Sequence, residues 1–369
     1  MELYSQNSGK LGLICFAIWV IMLIRGRNVF NGKSIWSDNY WFVFWGMLLF
    51  SVLGFLEWDT YNYYGLYQQT KEAGVGIHFE PVYVWLIRVL PNSYFLFRLV
   101  VWGLSCVLTV LSFKRLNLNA NVLAMTVPLL LLVVLAGTRG VLGFSLMTYC
   151  SIMFVQSMEK RKLFPVLLAV AGIILSAFFH RSMFIFIILL VVAYLAPMNK
   201  RVFIISLIAF PFLYGIVYTY FTDFSLFENL LEEQVDLIET YQNQEFQESN
   251  INGIINIVFS KTILLLLVFI IVRKYLYQKV EVPKENFLMF KFAYIAIYVS
   301  FLFLREDVSN WVSIRTLHAG TFGLLMCATY CLDAKSLGCK RTILEQVVLL
   351  GYFLIVLWRH YSFMRQFWN

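Results

Sequence analysis

An all-α, polytopic integral membrane protein of about twelve transmembrane helices is the fold class this sequence predicts. Three observations carry it. Apolar runs long enough to cross a hydrocarbon layer recur from end to end of the 369 residues. The chain is 60% hydrophobic and only 14% charged, where a soluble domain has about 25% charged residues. Lysine and arginine gather in every second loop between the runs, as the positive-inside rule requires of cytoplasmic loops.

The first run, 11–24, has no basic leader and no small-residue cleavage site, so it reads as a retained span rather than a signal peptide. Arg25, Arg27 and Lys33 follow it and mark the first cytoplasmic loop. A second span, 40–56, leads into a long extracytoplasmic segment, 57–94, rich in Tyr and Trp. Residues 80–98 are aromatic but broken by Pro91, too short to cross, and read as a re-entrant or interfacial helix. Lys114 and Arg115 separate spans 95–113 and 120–137. The fifth span, 141–157, ends at Lys160, Arg161 and Lys162. Only His180 and Arg181 separate the sixth and seventh, 163–179 and 182–197, which makes them either a tight hairpin or a broken helix.

Lys200 and Arg201 precede the eighth span, 202–220. Segment 221–253 then carries eight carboxylates and no Lys or Arg. Its apolar residues Phe224, Phe227, Leu230, Leu231, Val235 and Ile238 recur at near-helical spacing, which predicts an amphipathic lid over the outer mouth. Spans 254–272, 286–304, 315–332 and 343–358 complete the set. Arg273, Lys274, Lys279 and Lys284 follow the first of these, and Lys335, Lys340 and Arg341 the third. The even count puts both termini outside. No Pro/Gly-rich linker divides the chain, so 1–369 reads as one domain.

Cys15, Cys106, Cys150, Cys327, Cys331 and Cys339 show no metal-ligand spacing, and five lie in apolar runs; they read as small buried apolar residues. The net charge of +8 belongs to the cytoplasmic loops, which excludes nucleic acid as a partner.

Arginine on the other side breaks the charge rule. Arg88, Arg98, Arg139, Arg181, Arg305 and Arg315 all fall in or beside outward segments. A guanidinium grips phosphate with two bonds at once, so arginines kept there imply an anion held there. Arg139 follows an apolar run and is flanked by Gly137 and Gly140, which let a large anion approach the backbone; the competing reading is a snorkelling arginine at a helix end. His180 and Arg181 sit at a break in hydrocarbon, where polar groups are costly unless paired or functional. A helix starting at Ser182 would turn its amides to the same volume. Arg305 has acidic neighbours, Glu306 and Asp307, which could simply pair with it, and Arg315 opens a span. Arg88 and Arg98, either side of Pro91, are weaker candidates.

Trp58-Asp59, with Tyr61 and Tyr63, and Glu80-Pro81 with Tyr83 place aromatic rings beside carboxylates. Rings stack on the apolar faces of sugars and a carboxylate can take an attacking hydroxyl's proton, although an interfacial aromatic belt explains the tyrosines equally well. Asp59 is the preferred base, because Pro81 restricts Glu80 to a fixed backbone geometry. Phosphate loops of the Walker type, Asp-x-Asp pairs, zinc spacings and serine elbows are all missing, so no cofactor or metal is expected.

The order Asp59-x-Tyr61-x-Tyr63, Phe79-Glu80-Pro81-x-Tyr83, Arg139 opening a span and Phe179-His180-Arg181-Ser182 closing another resembles the EpsG-like membrane proteins, relatives of the Wzy polysaccharide and O-antigen polymerases. The resemblance covers residues 59–196. It departs at one motif: the usual Arg-Gln with an alanine a few residues later is Arg139-Gly140-Val141-Leu142-Gly143 here. The resemblance implies a GT-C-like glycosyltransferase architecture in the bacterial cytoplasmic membrane, with its site facing the exterior. It implies a metal-independent polymerase of undecaprenyl-pyrophosphate-linked oligosaccharides, which serve as donor and acceptor. Besides these and the membrane lipids, a chain-length-regulating membrane protein is an expected partner. On this reading Arg139, His180, Arg181, Arg305 and Arg315 hold the pyrophosphate, Asp59 or Glu80 activates the acceptor, and Trp58, Tyr61, Tyr63 and Tyr83 bind sugar. An O-antigen ligase-like transferase shares the donor chemistry. A flippase fits the span count equally, but it would line a mid-membrane cavity with charge. A membrane O-acyltransferase needs a histidine deep in a span, and His318 lies too near the outer boundary for that.

Overall fold

The computed structural model describes residues 39–53, 60–73, 80–120, 138–180, 182–220, 268–277, 282–303 and 310–332, with Leu123 and scattered helical positions between Ile14 and Ile21. For some residues inside these helices, Arg139 and Arg315 among them, only the backbone is described. The acidic segment 221–253, the spans expected at 343–358 and across most of 120–137, and most of 11–24 and 254–272 lie outside the described residues.

All described elements are helical. They are α1 (Tyr40–Leu53), α2 (Thr60–Ala73), α3 (Pro81–Val89), α4 (Tyr94–Arg115), α5 (Thr138–Glu159), α6 (Leu163–Ser176), α7 (Met183–Leu195), α8 (Lys200–Tyr220), α9 (Lys284–Leu302) and α10 (Asn310–Leu332), with a π-helical turn at Arg273–Tyr277. Four of them contain stretches long and apolar enough to cross a membrane: α4, α5 from Gly140, α8 to Thr219, and α9. α6 and α7 are apolar but shorter. The protein is an integral membrane protein.

Local chemistry fixes the boundaries. Ser93 opens α4, its hydroxyl accepting from the Leu96 amide at 3.3 Å. Lys114 and Arg115 occupy the last turn, where cations suit the helix dipole, and Asn117 just beyond has φ 53°. Pro81 begins α3, where its missing amide costs nothing. The Asn199 side chain accepts from the amides of Arg201 and Val202 and so caps α8.

Cross-helix contacts give the direction of each helix. Arg98 meets Ser51 while Tyr40 meets Leu118, so α1 and α4 are antiparallel. Thr109 bonds Ser145 and Arg115 bonds Gln156, so α4 and α5 are parallel, as they must be if a span lies between them. Gly143 lies against Ser176, and Gly172 against Cys150, so α6 runs back along α5. Phe144 touches Phe186 and Phe154 touches Tyr194, so α7 is parallel to α5. The sixth and seventh segments therefore form a hairpin and not a broken helix. Gly320 lies against Ile297 and Gly323 against Met289, so α9 and α10 are antiparallel. Position 320 has no room for a Cβ, which would lie 3.1 Å from the Ala293 carbonyl; the bare backbone lets the two helices touch.

These directions gather the basic residues at one end of the bundle: Lys114 and Arg115, Lys160 to Lys162, Lys200 and Arg201, and Lys284. α5 and α9 form its centre. Their apolar windows are 72% and 61% buried, against 6% for α8, which packs on α9 through Phe203 and Ser206 with Tyr294 and through Phe210 with Tyr298. At the basic end Arg115 donates to Gln156 Oε1 at 2.9 Å and to the Tyr149 hydroxyl at 3.2 Å. Gln156 in turn donates to the buried Glu285 at 2.9 Å, which ties α4, α5 and α9 together. Cys106, Cys150 and Cys327 are buried free thiols.

Candidate functional site

The end opposite the basic loops brings three separate stretches of sequence together. The first is the start of α3. Glu80 precedes Pro81, and its carbonyl accepts from the amides of Tyr83 and Val84, at 3.0 and 3.1 Å, to open the helix. The Glu80 side chain is buried and does not cap its own helix. Tyr83, one turn on, is fully buried.

α2 clamps the far end of α3. Lys71 Nζ donates to the Ile87 and Leu90 carbonyls at 2.7 and 2.8 Å, where the C-terminal carbonyls of a helix lack intrahelical partners. Tyr67 donates to the Pro91 carbonyl at 3.4 Å, and burial pushes its phenol above the ordinary value. Tyr64, Tyr67, Tyr94 and Phe97 then form a chain of ring contacts, 5.4 to 6.3 Å between centroids, from α2 across to α4. α3 is short, but it is held from both sides.

The second stretch is the turn between α6 and α7. Tyr83 lies between Phe97, at 6.1 Å, and Phe179, at 5.9 Å. His180 follows Phe179 and is buried. Its Nδ1 is 3.0 Å from the Ser182 amide nitrogen and 2.7 Å from the Ser182 hydroxyl.

The third is the start of α5. A Cβ at Gly140 would lie 3.9 Å from His180 Cδ2, and one at Gly143 would lie 2.9 Å from the Ser176 carbonyl and 3.0 Å from Phe179 Cβ. The α6–α7 turn therefore sits directly on the first turns of α5. Arg139, next to Gly140, belongs to the same turn of helix. α10, antiparallel to α9, starts at this end, and Arg315 lies in its second turn.

The helix that Glu80 opens thus packs on the α6–α7 turn through Tyr83 and Phe179, and His180 of that turn lies against Gly140, next to the backbone of Arg139. Tyr61 and Tyr63 lie in the first turn of α2. Trp58, Asp59, Arg181 and Arg305 lie outside the described residues. Tyr83 differs from its expected part as a sugar platform: with no exposed surface and a ring on either side, it packs α3 against the α6–α7 turn. Arg98 is part of the scaffold as well. It is fully buried, and its Nη2 donates to the Ser51 carbonyl at 3.0 Å, at the C-terminal end of α1. Arg88 is exposed in the last turn of α3.

Lys71 went unnoticed in the sequence, and Ser182 was noticed as a helix start but not as the hydrogen-bond partner of His180 Nδ1. Lys71 was detectable as a lysine on the arginine side of the charge pattern. Among the described residues, no group of three His, Cys, Asp or Glu side chains is placed to hold a metal ion.

No curated protein and no solved structure matches the chain. One family model does, and it reaches well beyond the 59–196 stretch in which the motifs are visible, taking in α1 at one end and α8 to α10 at the other. With residues 39–369 matched by that model, the chain belongs to the EpsG family, a family of Wzy-like polysaccharide polymerase-type membrane proteins.

Proposed function

We propose that the protein joins undecaprenyl-pyrophosphate-linked oligosaccharide repeat units on the outer face of the bacterial cytoplasmic membrane. In this reading about twelve spans form a GT-C-like bundle with both termini outside. The growing glycan leaves its lipid pyrophosphate and passes to the terminal sugar of a new lipid-linked unit. A pyrophosphate is already an activated leaving group, so what the protein must supply is charge stabilisation as it departs. Arg139, Arg181, Arg305 and Arg315, with His180, form that set. Asp59 takes the proton of the acceptor hydroxyl, with Glu80 as the other carboxylate in reach of the role. Trp58, Tyr61 and Tyr63 cradle the acceptor sugar.

The observation that carries this reading is that the helix opened by Glu80 packs on the α6–α7 turn, through Tyr83 on Phe179, and that His180 of this turn lies against Gly140, all at the end of the bundle away from the basic loops, in a chain of this family. A flippase would need its charges along the middle of the bundle. The test is polymerisation by the purified protein in nanodiscs, given synthetic undecaprenyl-pyrophosphate repeat units in the presence of a chelator. A ladder of longer glycans with release of undecaprenyl pyrophosphate is expected. Transbilayer movement of the substrate without any ladder would point to the flippase instead. Turnover lost in chelator and restored by magnesium or manganese would remove the metal-independent mechanism.

A further inference from the structure

α3 is amphipathic with apolar residues on its open face as well as its packed one. Tyr83 and Ile87 are fully buried on one side. On the other, Trp85 and Val89, one turn apart, are 60% and 61% exposed, and the exposed Arg88 lies between them. Large apolar side chains left open on a short helix call for surroundings other than water. Depth says what those surroundings are. The contact of Tyr83 with Phe97 puts α3 level with the first turn of α4. α4 has 22 residues, about 33 Å of helix, hardly more than the ~30 Å hydrocarbon core that its apolar length suits. With α4 across the bilayer, its first turn stands where hydrocarbon meets headgroups, and α3 stands there with it. Trp41 marks the opposite boundary in the same way. It is 70% exposed and adjoins Tyr40, which bonds the Leu118 carbonyl just past the other end of α4. Exposed tryptophan at both levels is what the two interfaces of a membrane select.

We propose that α3 lies in the headgroup layer of the leaflet away from the basic loops, with Trp85 and Val89 at the acyl boundary and Arg88 on the phosphate of a bilayer phospholipid. Charge favours that partner. Lys71, at the same end of α3, is spent on the Ile87 and Leu90 carbonyls. Among the described residues no carboxylate pairs with the Arg88 guanidinium, which can take two oxygens of a phosphodiester at once. The contact fixes the height of Glu80, the residue that opens α3, against the phosphate layer. The inference goes beyond the polymerase reading and does not depend on it.

The test uses the full-length protein in phosphatidylglycerol nanodiscs that hold no lipid-linked oligosaccharide. In a background with the native cysteines replaced, nitroxide labels are placed at Trp85→Cys, Val89→Cys and Asn92→Cys. All three positions are exposed, so the labels leave the packing between helices alone. Power saturation should find the labels at 85 and 89 more accessible to oxygen than to a nickel chelate, and the label at 92 the reverse. Nickel-favoured labels at 85 and 89 would place this face in water, on an open surface or in a wet cavity, and would overturn the proposal. Arg88 is read by solid-state NMR of protein carrying 13C at arginine Cζ. The signal lost in Arg88→Gln should be dephased by the 31P of the lipid. The absence of dephasing would overturn the phosphate contact. Dephasing that appears only after undecaprenyl-pyrophosphate-linked substrate is added would assign Arg88 to the substrate and overturn it as well. A protein with the expected depths and dephasing but no polymerisation would refute the polymerase reading alone.

Discussion

A single glycine decides how close the α6–α7 turn comes to α5. A Cβ at position 143 would meet the Ser176 carbonyl at 2.9 Å, closer than real Cβ atoms come, and the obstacle is backbone. Gly143→Ala should therefore push the turn away, at a cost of about 1–3 kcal/mol for overpacking, and carry His180 with it. Position 140 differs. The nearest atom to a Cβ there is 3.9 Å away, an ordinary contact, so Gly140→Gln, which restores the usual family residue, should fold and polymerise. Thermal unfolding in detergent and the glycan ladder together check both; a stable, active Gly143→Ala would show that the turn has slack. For the carboxylates, Asp59→Asn is expected to fold and bind donor but lose transfer by ~10²–10⁴-fold, the usual worth of a positioned base. Near-normal transfer by Asp59→Asn would move that role to Glu80, whose Gln variant is the matching measurement.

At the scale of elements, helix position was more legible than helix direction. Apolar length placed α4, α5, α8 and α9 within a few residues, because burial in lipid demands it of every span. The choice between hairpin and broken helix at His180 was not legible, because a hydropathy pattern carries no information on which way the next helix runs. Contacts such as Phe154 with Tyr194 settled it. The site was legible in its motifs but not in its supports. Tyr83 and Phe179 each look like aromatic belt residues when read alone, and only their mutual contact gives them a structural part. The same holds for long-range caps. Lys71 on α3, Arg98 on α1 and Lys291 on α7, through the Tyr194 and Ala196 carbonyls, each satisfy the C-terminal end of a helix remote in sequence or on another element. Lys71→Met should lose two charge-assisted bonds and about 1–3 kcal/mol of stability. It should lower polymerisation by loosening α3, while Lys71→Arg keeps a donor there. Equal melting temperatures for wild type and Lys71→Met would show that α3 is held by its aromatic contacts alone.

At the scale of the molecule, one asymmetry organises everything else: basic loops at one end, the Glu80–His180 neighbourhood at the other. The polymerase reading needs the basic end to face the cytoplasm. Two exposed positions report it, Asn92 between α3 and α4 and Lys162 between α5 and α6. In a background with the native cysteines replaced, Asn92→Cys in intact spheroplasts should react with a membrane-impermeant maleimide. Lys162→Cys should react only after the membrane is opened. Cys106, Cys150 and Cys327 are buried between helices, so their replacement by Ala or Ser trims small side chains and leaves the exposed surface unchanged. The reverse labelling pattern would put His180 and Arg139 in the cytoplasm. It would leave the arginines obeying the ordinary charge rule, and it would remove the reason to see a lipid-linked anion behind them.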